Sequence, residues 1–468
     1  MNNRSITSNT NSKKENCSFP KQPLGIYEYY VNNAWYETSG FYDQKTNAPL
    51  LKKKTKVDIA IIGGGFTGLA SAYHLAKKFP AKRIIIIEGA RCGYGASGRN
   101  GGHVIVYPFA QMMNIKEKRG LEAARTMGQM SKHGYENIVS MVKNHGLDCD
   151  LRDSRHLSLC ETEKNLESAK EIHKTLEMLD IDSSIIDRKE VNARIGTNHF
   201  HGALESECEK GVDPAKLVLG MKKIVESLNV EIYEQTRALK INPGKTINIE
   251  TEFGEVEADS VVIATNAYSS MLGMFKRNIV SISDYVIATE PLNDQQMASL
   301  GWKGREGLCD DRHLFNYYRI SEDNRIVFGG EMPAYYYGNK IGLINNKKIL
   351  TALEERLITI WPQLKGVKIA HRWGGPCGIS RDELPLVGVT GEHKNIYYGI
   401  GYTGEGVVWT QVAGEIISQL YAGEDTDLTR FFLVNRPMPY IPPEPFMKIG
   451  FETLMVYYGL KDKFNRNQ

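Results

Sequence analysis

The chain has 468 residues, of which 41% are hydrophobic, 24% charged and 9% aromatic, a composition that excludes a disordered or fibrous protein. At roughly 100–200 residues per domain, this length predicts two to four domains. The 58 Lys and Arg nearly balance the 55 Asp and Glu, so a net charge of +3 gives no strong field for nucleic acid or an anionic membrane.

Cysteine usage and the N-terminal residues indicate the compartment. The seven cysteines include no Cys-x-x-Cys pair and are too widely spaced for a zinc ribbon, which favours a reducing environment. Residues 1–24 are polar and lack the apolar core of a secretory signal, so we expect a disordered tail. No apolar run approaches the roughly 20 residues of a membrane helix. These features predict a cytoplasmic protein with reduced thiols.

The first strong structural pattern is a strand, a tight turn, a helix and a second strand. Residues 57–62 and 83–88 are apolar runs of strand length, 63–68 is rich in glycine, and 69–78 has apolar residues at the spacing of one helix face. This order within about 30 residues predicts a βαβ unit. Its parallel strands should be covered on both faces.

Further along the chain, helical and strand-like patterns alternate less regularly. We predict helices over 117–143, 163–179, 215–228 and 346–360, and strands near 155–161, 230–241, 246–251 and 256–264. Residues 279–370 are mostly strand-like, and the strand–glycine turn–helix pattern returns at 396–420. The βαβ pattern therefore occurs in separate stretches, which predicts two domains interleaved along the chain.

The glycine turn has the spacing G-x-G-x-x-G in a strand–helix context. Gly63 permits the tight turn, Gly65 lets the backbone approach a pyrophosphate, and Gly68 permits close packing of helix and strand. Glu88, at the end of the second strand, is placed to accept a hydrogen bond from a ribose hydroxyl. The pattern predicts a dinucleotide site and leaves NAD and FAD open.

A second glycine cluster spans residues 93–103. Backbone N–H groups in such a stretch can face an extended ligand, and Ser97, Arg99 and Asn100 add polar side chains. Taken by itself, the cluster is also compatible with a flexible glycine loop.

The cluster and three further parts of the chain resemble a known family. These stretches are IIGGGFTGLASAYHLA (61–76), GYGASGRNGGHV (93–104), ADSVVIATNAY (258–268), and RWGGPCGISRDELPLVG with NIYYGIGYTGEGV (372–388 and 395–407). They resemble the FAD-dependent amine and amino-acid oxidoreductases of the D-amino-acid oxidase and glycine oxidase type. The γ-glutamylputrescine oxidase-like branch is the most similar.

This resemblance implies an α/β protein (α+β overall) with a Rossmann-like FAD-binding domain interleaved with a β-sheet-rich substrate domain. The FAD-binding domain would comprise 25–150, 205–270 and 370–435, the substrate domain 151–204 and 271–369, and a C-terminal extension 436–468. The residues expected to hold FAD are Gly63, Gly65, Phe66, Thr67, Gly68, Glu88, Ser97, Asn100, Gly101, Gly102, Ala238, Gly375, Gly404, Glu405, Gly406 and Val407.

The sequence departs from the family pattern at three places. Pro376 and Cys377 follow the Trp-Gly-Gly stretch where relatives carry an Arg for the substrate carboxylate, which argues for an amine substrate over a plain amino acid. Residues 325–329 lack the Lys that assists reaction with oxygen in sarcosine oxidase-like relatives, so a different electron acceptor stays open. In the final glycine loop, this chain has Glu405 where related sequences often carry His.

The resemblance, taken together with these departures, implies an enzyme that oxidises the C–N bond of an amine, such as a γ-glutamylated polyamine. The product would be an imine that hydrolyses to an aldehyde. Oxygen would accept the electrons and give H2O2. A dehydrogenase with another acceptor and a non-catalytic flavin-binding subunit are the alternatives. The resemblance leaves the oligomeric state open.

Several side chains are candidates for chemistry. His103 would help to deprotonate the amine or would pack behind the flavin ring, and the hydroxyls of Tyr317 and Tyr402 would position the amine. Cys377 suggests covalent flavin, but a lone buried cysteine is usually a small apolar residue, so we expect FAD to be held non-covalently.

Two further patterns have structural interpretations. His199 and His201 would share one face of a strand, and without a third ligand they predict no metal site. The C-terminal extension ends in an amphipathic segment that we expect to pack on the protein body rather than on a membrane.

Overall fold

The computed structural model describes residues 31–47, 49, 54–341 and 346–466. The disordered tail expected over residues 1–24 lies outside the described residues. Among those that are described, no helix is both long and apolar enough to cross a membrane.

The strands are short and most of them belong to two large sheets. In chain order they are β1 (Thr55–Ile62), β2 (Ile84–Ile87), β3 (His103–Ile105), β4 (His156–Cys160), β5 (Ser183–Asp187), β6 (Gly202–Ser206), β7 (Glu209–Gly211), β8 (Glu231–Tyr233), β9 (Ala238–Asn242), β10 (Ile247–Thr251), β11 (Glu255–Ile263), β12 (Ile279–Thr289), β13 (Gly307–Asp310), β14 (Asn316–Ile320), β15 (Ile326–Gly330), β16 (Ala334–Tyr335), β17 (Ile369–Ser380), β18 (Leu386–Thr390) and β19 (Ile396–Ile400).

The helices range from one turn to 25 residues. They are α1 (Ala34–Thr38), α2 (Phe66–Lys78), α3 (Phe109–Arg119), α4 (Leu121–His145), α5 (Glu163–Met178), α6 (Arg188–Ile195), α7 (Pro214–Ser227), α8 (Asp294–Leu300), α9 (Lys347–Ile360), α10 (Gly406–Ala422) and α11 (Phe446–Arg466), with 3-10 turns at Ala96–Gly98, Asn266–Leu272 and Pro362–Leu364. The helix expected over 117–143 is confirmed as α4, which begins four residues later because Gly120 at φ +89° separates it from α3.

The first sheet confirms the α/β prediction. Its order is β18-β19-β11-β1-β2-β8, with β10 and β9 continuing from β11. β1 is parallel to β2 and β11, and β11 is parallel to β19. Ile59 and Ile61 pack in one hydrophobic cluster, whereas Ala60 and Ile62 pack in another. The strand is therefore buried on both faces, as a parallel sheet requires.

Two helices begin at the same edge of this sheet. α2 follows β1 and α10 follows β19, and both strands flank β11 in parallel. The helices also touch closely, because a Cβ at Gly414 would lie 2.6 Å from the backbone of Ala70. Both N-termini, with their unsatisfied N–H groups, consequently face the carboxyl edge where such sheets bind ligands.

The second sheet has the order β16-β12-β15-β14-β13-β4-β6-β5, with β17 paired along β12. β12 and β17 are antiparallel from Ile279 to Thr289, so the Gly374-Gly375 motif lies in this sheet. The predicted domain boundary at residue 370 therefore falls inside β17, and a boundary near residue 380 matches the two sheets better. The division into domains otherwise stays a prediction.

Helix α11 docks at its C-terminal end. Asp462 accepts hydrogen bonds from the backbone N–H groups of His313 and Leu314 and pairs with the His313 side chain at 2.8 Å. Tyr458 stacks on the same imidazole. Leu454 and Leu460 from the predicted apolar face are nevertheless 42% and 62% exposed, so α11 buries only part of that face.

Candidate active site

The glycine turn has the tight geometry that its spacing predicts. Gly63 has φ +108°, a backbone conformation that favours glycine. A Cβ on Gly68 would lie 1.9 Å from the carbonyl oxygen of Gly63, so no larger residue fits there. The turn delivers the chain from β1 directly into α2, which begins at Phe66.

Glu88 holds this turn from the end of β2. Its carboxyl oxygens accept hydrogen bonds from the backbone N–H of Gly64 at 2.7 Å and of Ala90 at 2.8 Å. Burial raises the pKa of Glu88 to about 7, although these two hydrogen bonds act in the opposite direction. Its expected contact with a ribose hydroxyl stays a prediction.

The second glycine cluster closes over the N-terminus of α2. Ser97 Oγ accepts from the N–H of Phe66 at 2.9 Å, and a Cβ on Gly65 would lie 2.8 Å from that oxygen. Asn100 shapes the cluster itself, because its amide donates to the Ala96 and Ser97 carbonyls and accepts from the N–H of Gly102. Ser97 thus occupies the anion-binding end of the helix.

Both glycine clusters border one cavity of about 850 Å³. The predicted cofactor residues that line it are Gly63, Gly65, Phe66, Thr67, Glu88, Ser97, Asn100, Gly101, Ala238, Gly375, Gly404, Glu405, Gly406 and Val407. Gly68 and Gly102 lie behind this wall, where a Cβ would meet the carbonyl oxygens of Gly63 and Val212 respectively. The tertiary structure therefore gathers four distant segments around one elongated space.

At one end of the cavity, a carboxylate lies between two imidazoles. Nδ1 of His103 bonds Oε1 of Glu209, and Nδ1 of His156 lies 3.2 Å from Oε2 of the same residue. The ring of Tyr317 packs edge-on against His103 with centroids 5.4 Å apart, and its hydroxyl donates to Asp284 at 2.7 Å. All five side chains line the cavity.

The third predicted catalytic residue, Tyr402, lines the same cavity. The hydroxyl of Tyr402 lies 3.0 Å from the hydroxyl of Thr67, in the first turn of α2, and both are buried. This contact ties the loop after β19 to the helix that follows the glycine turn. A role of Tyr402 in positioning an amine stays a prediction.

The chemistry of this wall fits FAD. Backbone N–H groups at the starts of α2 and α10 can meet a pyrophosphate and the pyrimidine end of a flavin. Gly65 and Gly101 leave space that a Cβ would fill, since a Cβ on Gly101 would lie 2.6 Å from the ring of Tyr317. Ala238, buried at the start of β9, also lines the cavity, and the resemblance implies that it contacts the adenine of FAD.

Comparison with known proteins decides the family. Residues 58–420 match the DAO family, described as FAD dependent oxidoreductase. The chain belongs to this family. It is therefore an FAD-dependent oxidoreductase, as the resemblance predicted.

Individual relatives extend over most of the chain. It is 30% identical over 445 residues to gamma-glutamylputrescine oxidoreductase of Escherichia coli, covering 91% of this chain and 98% of the relative. It is 28% identical over 451 residues to a probable oxidoreductase, OrdL, of Haemophilus influenzae, covering 94% and 99%. Glycine oxidase of Geobacillus kaustophilus has the same fold, with a TM-score of 0.69 at 18% identity over 82% of this chain and all of that one.

Glu405 is the unusual residue of this DAO-family site. It precedes α10, and its Oε2 is buried without a hydrogen-bond partner among the described residues. Burial, reinforced by the charge of Glu209, raises the pKa of Glu405 to about 8. At pH 7 this carboxyl is therefore mostly protonated and able to donate a hydrogen bond.

Cys377 also lies on the cavity wall, within β17. Burial raises the pKa of its thiol to about 12, so it is not a reactive thiolate at neutral pH. Non-covalent attachment of FAD stays a prediction. The six described cysteines are all free thiols.

The predicted histidine pair has a structural environment. His199 and His201 lie in the connection between α6 and β6, not in a strand as expected, and they contact Glu161 and Glu163. Within the described ranges, no group of three or more His, Cys, Asp or Glu could hold a metal ion.

Sequence reasoning missed Glu209, His156 and Asp284. Asp284 opens the stretch DYVIATEPL (284–292), which also resembles the family, so a weak signal existed for it. Nothing near Glu209 in the sequence distinguishes it from the 54 other acidic residues. Its importance comes from the strand pairing of β3 with β7, which sets Glu209 opposite Ile105 and close to His103.

Proposed function

We propose that this enzyme oxidises the C–N bond of a primary or secondary amine, with a γ-glutamylated diamine as the leading substrate and O2 as the electron acceptor. The amine becomes an imine, which water converts to an aldehyde and a free amine or ammonia. When bound, FAD would supply the redox chemistry by accepting a hydride from the carbon next to the nitrogen, the amine nitrogen would lose a proton, and O2 would take up the two electrons and two protons as H2O2.

The observation that carries the choice of an amine concerns the cavity's arginines. Arg312 is held by Asp310 at 3.1 Å and Glu331 at 3.2 Å. Arg99 donates to the carbonyl of Gly374 at 3.0 Å and to that of Tyr94. Arg237, the third, borders Gly89 at the adenine end. Arg99 keeps only its Nη2 without a partner, so among the described residues no Arg near the substrate end offers two free nitrogens for a bidentate grip on an α-carboxylate.

The side chains near His103 suit the handling of an amine. Oxidation requires the neutral amine, whereas amines of ordinary basicity are ammonium ions at pH 7. The imidazole of His103 and the carboxyls of Asp284 and Glu405 line the same space. Tyr317 is oriented by its hydrogen bond to Asp284, and we propose that it forms a wall against which the substrate packs.

A dehydrogenase is the second candidate, supported by one observation. The described residues lining the cavity include no Lys, and the strand β15 carries none. Arg325, just before β15, pairs with Asp323 at 2.6 Å. A positive side chain that assists the reaction with oxygen is therefore missing from the expected place.

Anaerobic stopped-flow spectroscopy of the holoenzyme tests both proposals. We expect γ-glutamylputrescine to bleach the flavin at least tenfold faster than putrescine, and glycine or D-alanine to bleach it hardly at all. Mixing the reduced enzyme with air-saturated buffer should restore the flavin colour within the turnover time. Slow reoxidation would favour the dehydrogenase, and bleaching by no amine would favour the non-catalytic subunit.

A further inference from the structure

Three chain segments place one carboxylate between two imidazoles at the cavity wall. Glu209 comes from β7, His103 from β3 and His156 from β4. Glu209 is 5% exposed, and each of its oxygens faces a different histidine. We call these three residues the His–Glu–His cluster.

The charge of Glu209 determines which ring nitrogen of His103 carries the proton. Burial alone would raise its pKa, but His103 and His156 hold the pKa well below its usual range, through positive charge when the rings are protonated and through hydrogen bonding to the carboxylate when they are neutral. An ionised carboxylate only accepts hydrogen bonds. The Nδ1 of His103 must therefore carry a proton, which in the neutral ring leaves Nε2 with a free lone pair.

No donor within the described part of the chain forms a hydrogen bond to that lone pair. Nε2 of His103 is buried without a hydrogen-bond partner there, although the residue lines the cavity. A buried polar atom without a partner carries a free-energy cost that a ligand can remove. A donor on the substrate would satisfy it.

We propose that Nε2 of His103 accepts the proton that the substrate ammonium loses before oxidation, and that Glu209 is the positioning residue for this step. The inference rests on the proposed amine substrate. The R–NH3+ group gives one proton to the imidazole, so R–NH2 and an imidazolium form and no electrons move. Glu209 stays ionised and compensates the new positive charge, while Nδ1 of His156 lies 3.2 Å from the second carboxylate oxygen.

Other titratable groups surround the cluster and define its electrostatics. Arg319, whose pKa burial lowers to about 10, donates to the carbonyls of Gly102 and Val212 and remains a cation at pH 7. Burial raises the pKa values of the remaining neighbours, which are Glu405, Cys309, Tyr317 and Asp284. Glu209 is therefore the anion that directly contacts His103.

NMR of the holoenzyme tests the arrangement without any substrate. In protein labelled with 15N-histidine, the signal lost in His103→Gln identifies this ring. We expect the neutral ring to carry its proton on Nδ1 in the wild type and to populate both tautomers in Glu209→Gln. A wild-type ring protonated on Nε2 would overturn the proposal.

Anaerobic flavin reduction by γ-glutamylputrescine tests the proton transfer. We expect His103→Ala to slow reduction about 100-fold or more, and 50–100 mM imidazole to restore at least tenfold. In Glu209→Gln the acid limb of the rate should move at least one pH unit lower, because the anion that favours the imidazolium is gone. Glu415→Gln, which alters the His133–Glu415 pair at 2.7 Å outside the cavity, is the matched control and should leave the profile unchanged.

The outcomes separate this proposal from the proposed function. Bleaching by no amine would overturn both. Bleaching of the wild type without imidazole rescue of flavin-loaded His103→Ala would overturn the role of His103 alone. A Glu209→Gln rate lowered equally at every pH would show a structural role only, and if that variant does not fold, the rescue experiment still decides.

Discussion

Replacement of Glu405 by Gln tests whether the carboxyl at the start of α10 is protonated in the folded protein. Its pKa is raised from 4.5 to about 8, chiefly by burial. Folding therefore takes up a proton between these values. The stability that this group contributes is complete below pH 4.5 and is lost as the pH rises towards 8.

The magnitude follows from the size of the shift. At 1.36 kcal/mol per pKa unit, a rise from 4.5 to about 8 corresponds to about 5 kcal/mol as an upper limit. Glu405 is half-buried beside a cavity that admits solvent, so we expect screening to reduce this to about 3 kcal/mol. With an unfolding entropy of about 2.1 cal/mol/K per residue, the 468 residues give about 1 kcal/mol/K. A loss of about 3 kcal/mol should therefore lower the Tm by about 3 °C.

The assay is thermal unfolding of the apoprotein from pH 5 to pH 8. Glu405→Gln cannot ionise, so its Tm relative to the wild type should rise by about 3 °C across this range. Glu355→Gln, an exposed change on α9, should show no such trend. A Tm difference between Glu405→Gln and wild type that stays constant within 1 °C would refute the reasoning.

Three further predictions follow from the same geometry. Gly68→Ala should yield protein with at least 90% of its FAD absorbance lost, because its Cβ would lie 1.9 Å from a backbone oxygen. Gly450→Ala on α11, whose Cβ would meet nothing within 4 Å, is the control and should keep its flavin, and equal flavin content in the two variants would contradict the prediction. Acid precipitation of the holoenzyme should leave all flavin in the supernatant, and flavin in the pellet would indicate a covalent bond. Asp462→Asn should raise KM for the amine several-fold with kcat changed less than twofold. The reason is that Asp462 holds the 313–314 loop, whose neighbours in the chain line the cavity. An unchanged KM would show that α11 does not influence the substrate end.

Much of the cofactor end was predictable because its signals are local. The glycine spacing, the apolar runs on either side and Glu88 all fall within 57–88, and backbone sterics alone require glycine at such a turn. Fourteen of the sixteen predicted FAD residues line one cavity, and the other two pack directly behind it. Their contacts with FAD stay predictions.

The substrate end was less predictable because its residues come together only through long-range pairing. Tyr317 on β14 reaches Asp284 on β12 across the intervening strand β15, and the hydroxyl of Tyr402 contacts that of Thr67. The helix predicted over 117–143 was correct except at its start, because the hydrophobic pattern gave no sign that the helical backbone is interrupted at Gly120.

The sequence by itself determined that this chain folds around a dinucleotide with an α/β architecture, because turn geometry and strand burial impose residue types at fixed spacing. Only the tertiary structure decided which titratable groups meet. His103, His156 and Glu209 are separated by about 50 residues each, and strand pairing brings them within hydrogen-bond or ion-pair distance. Burial then sets their charges, and a sequence alone gives no measure of how deeply a carboxylate will be buried.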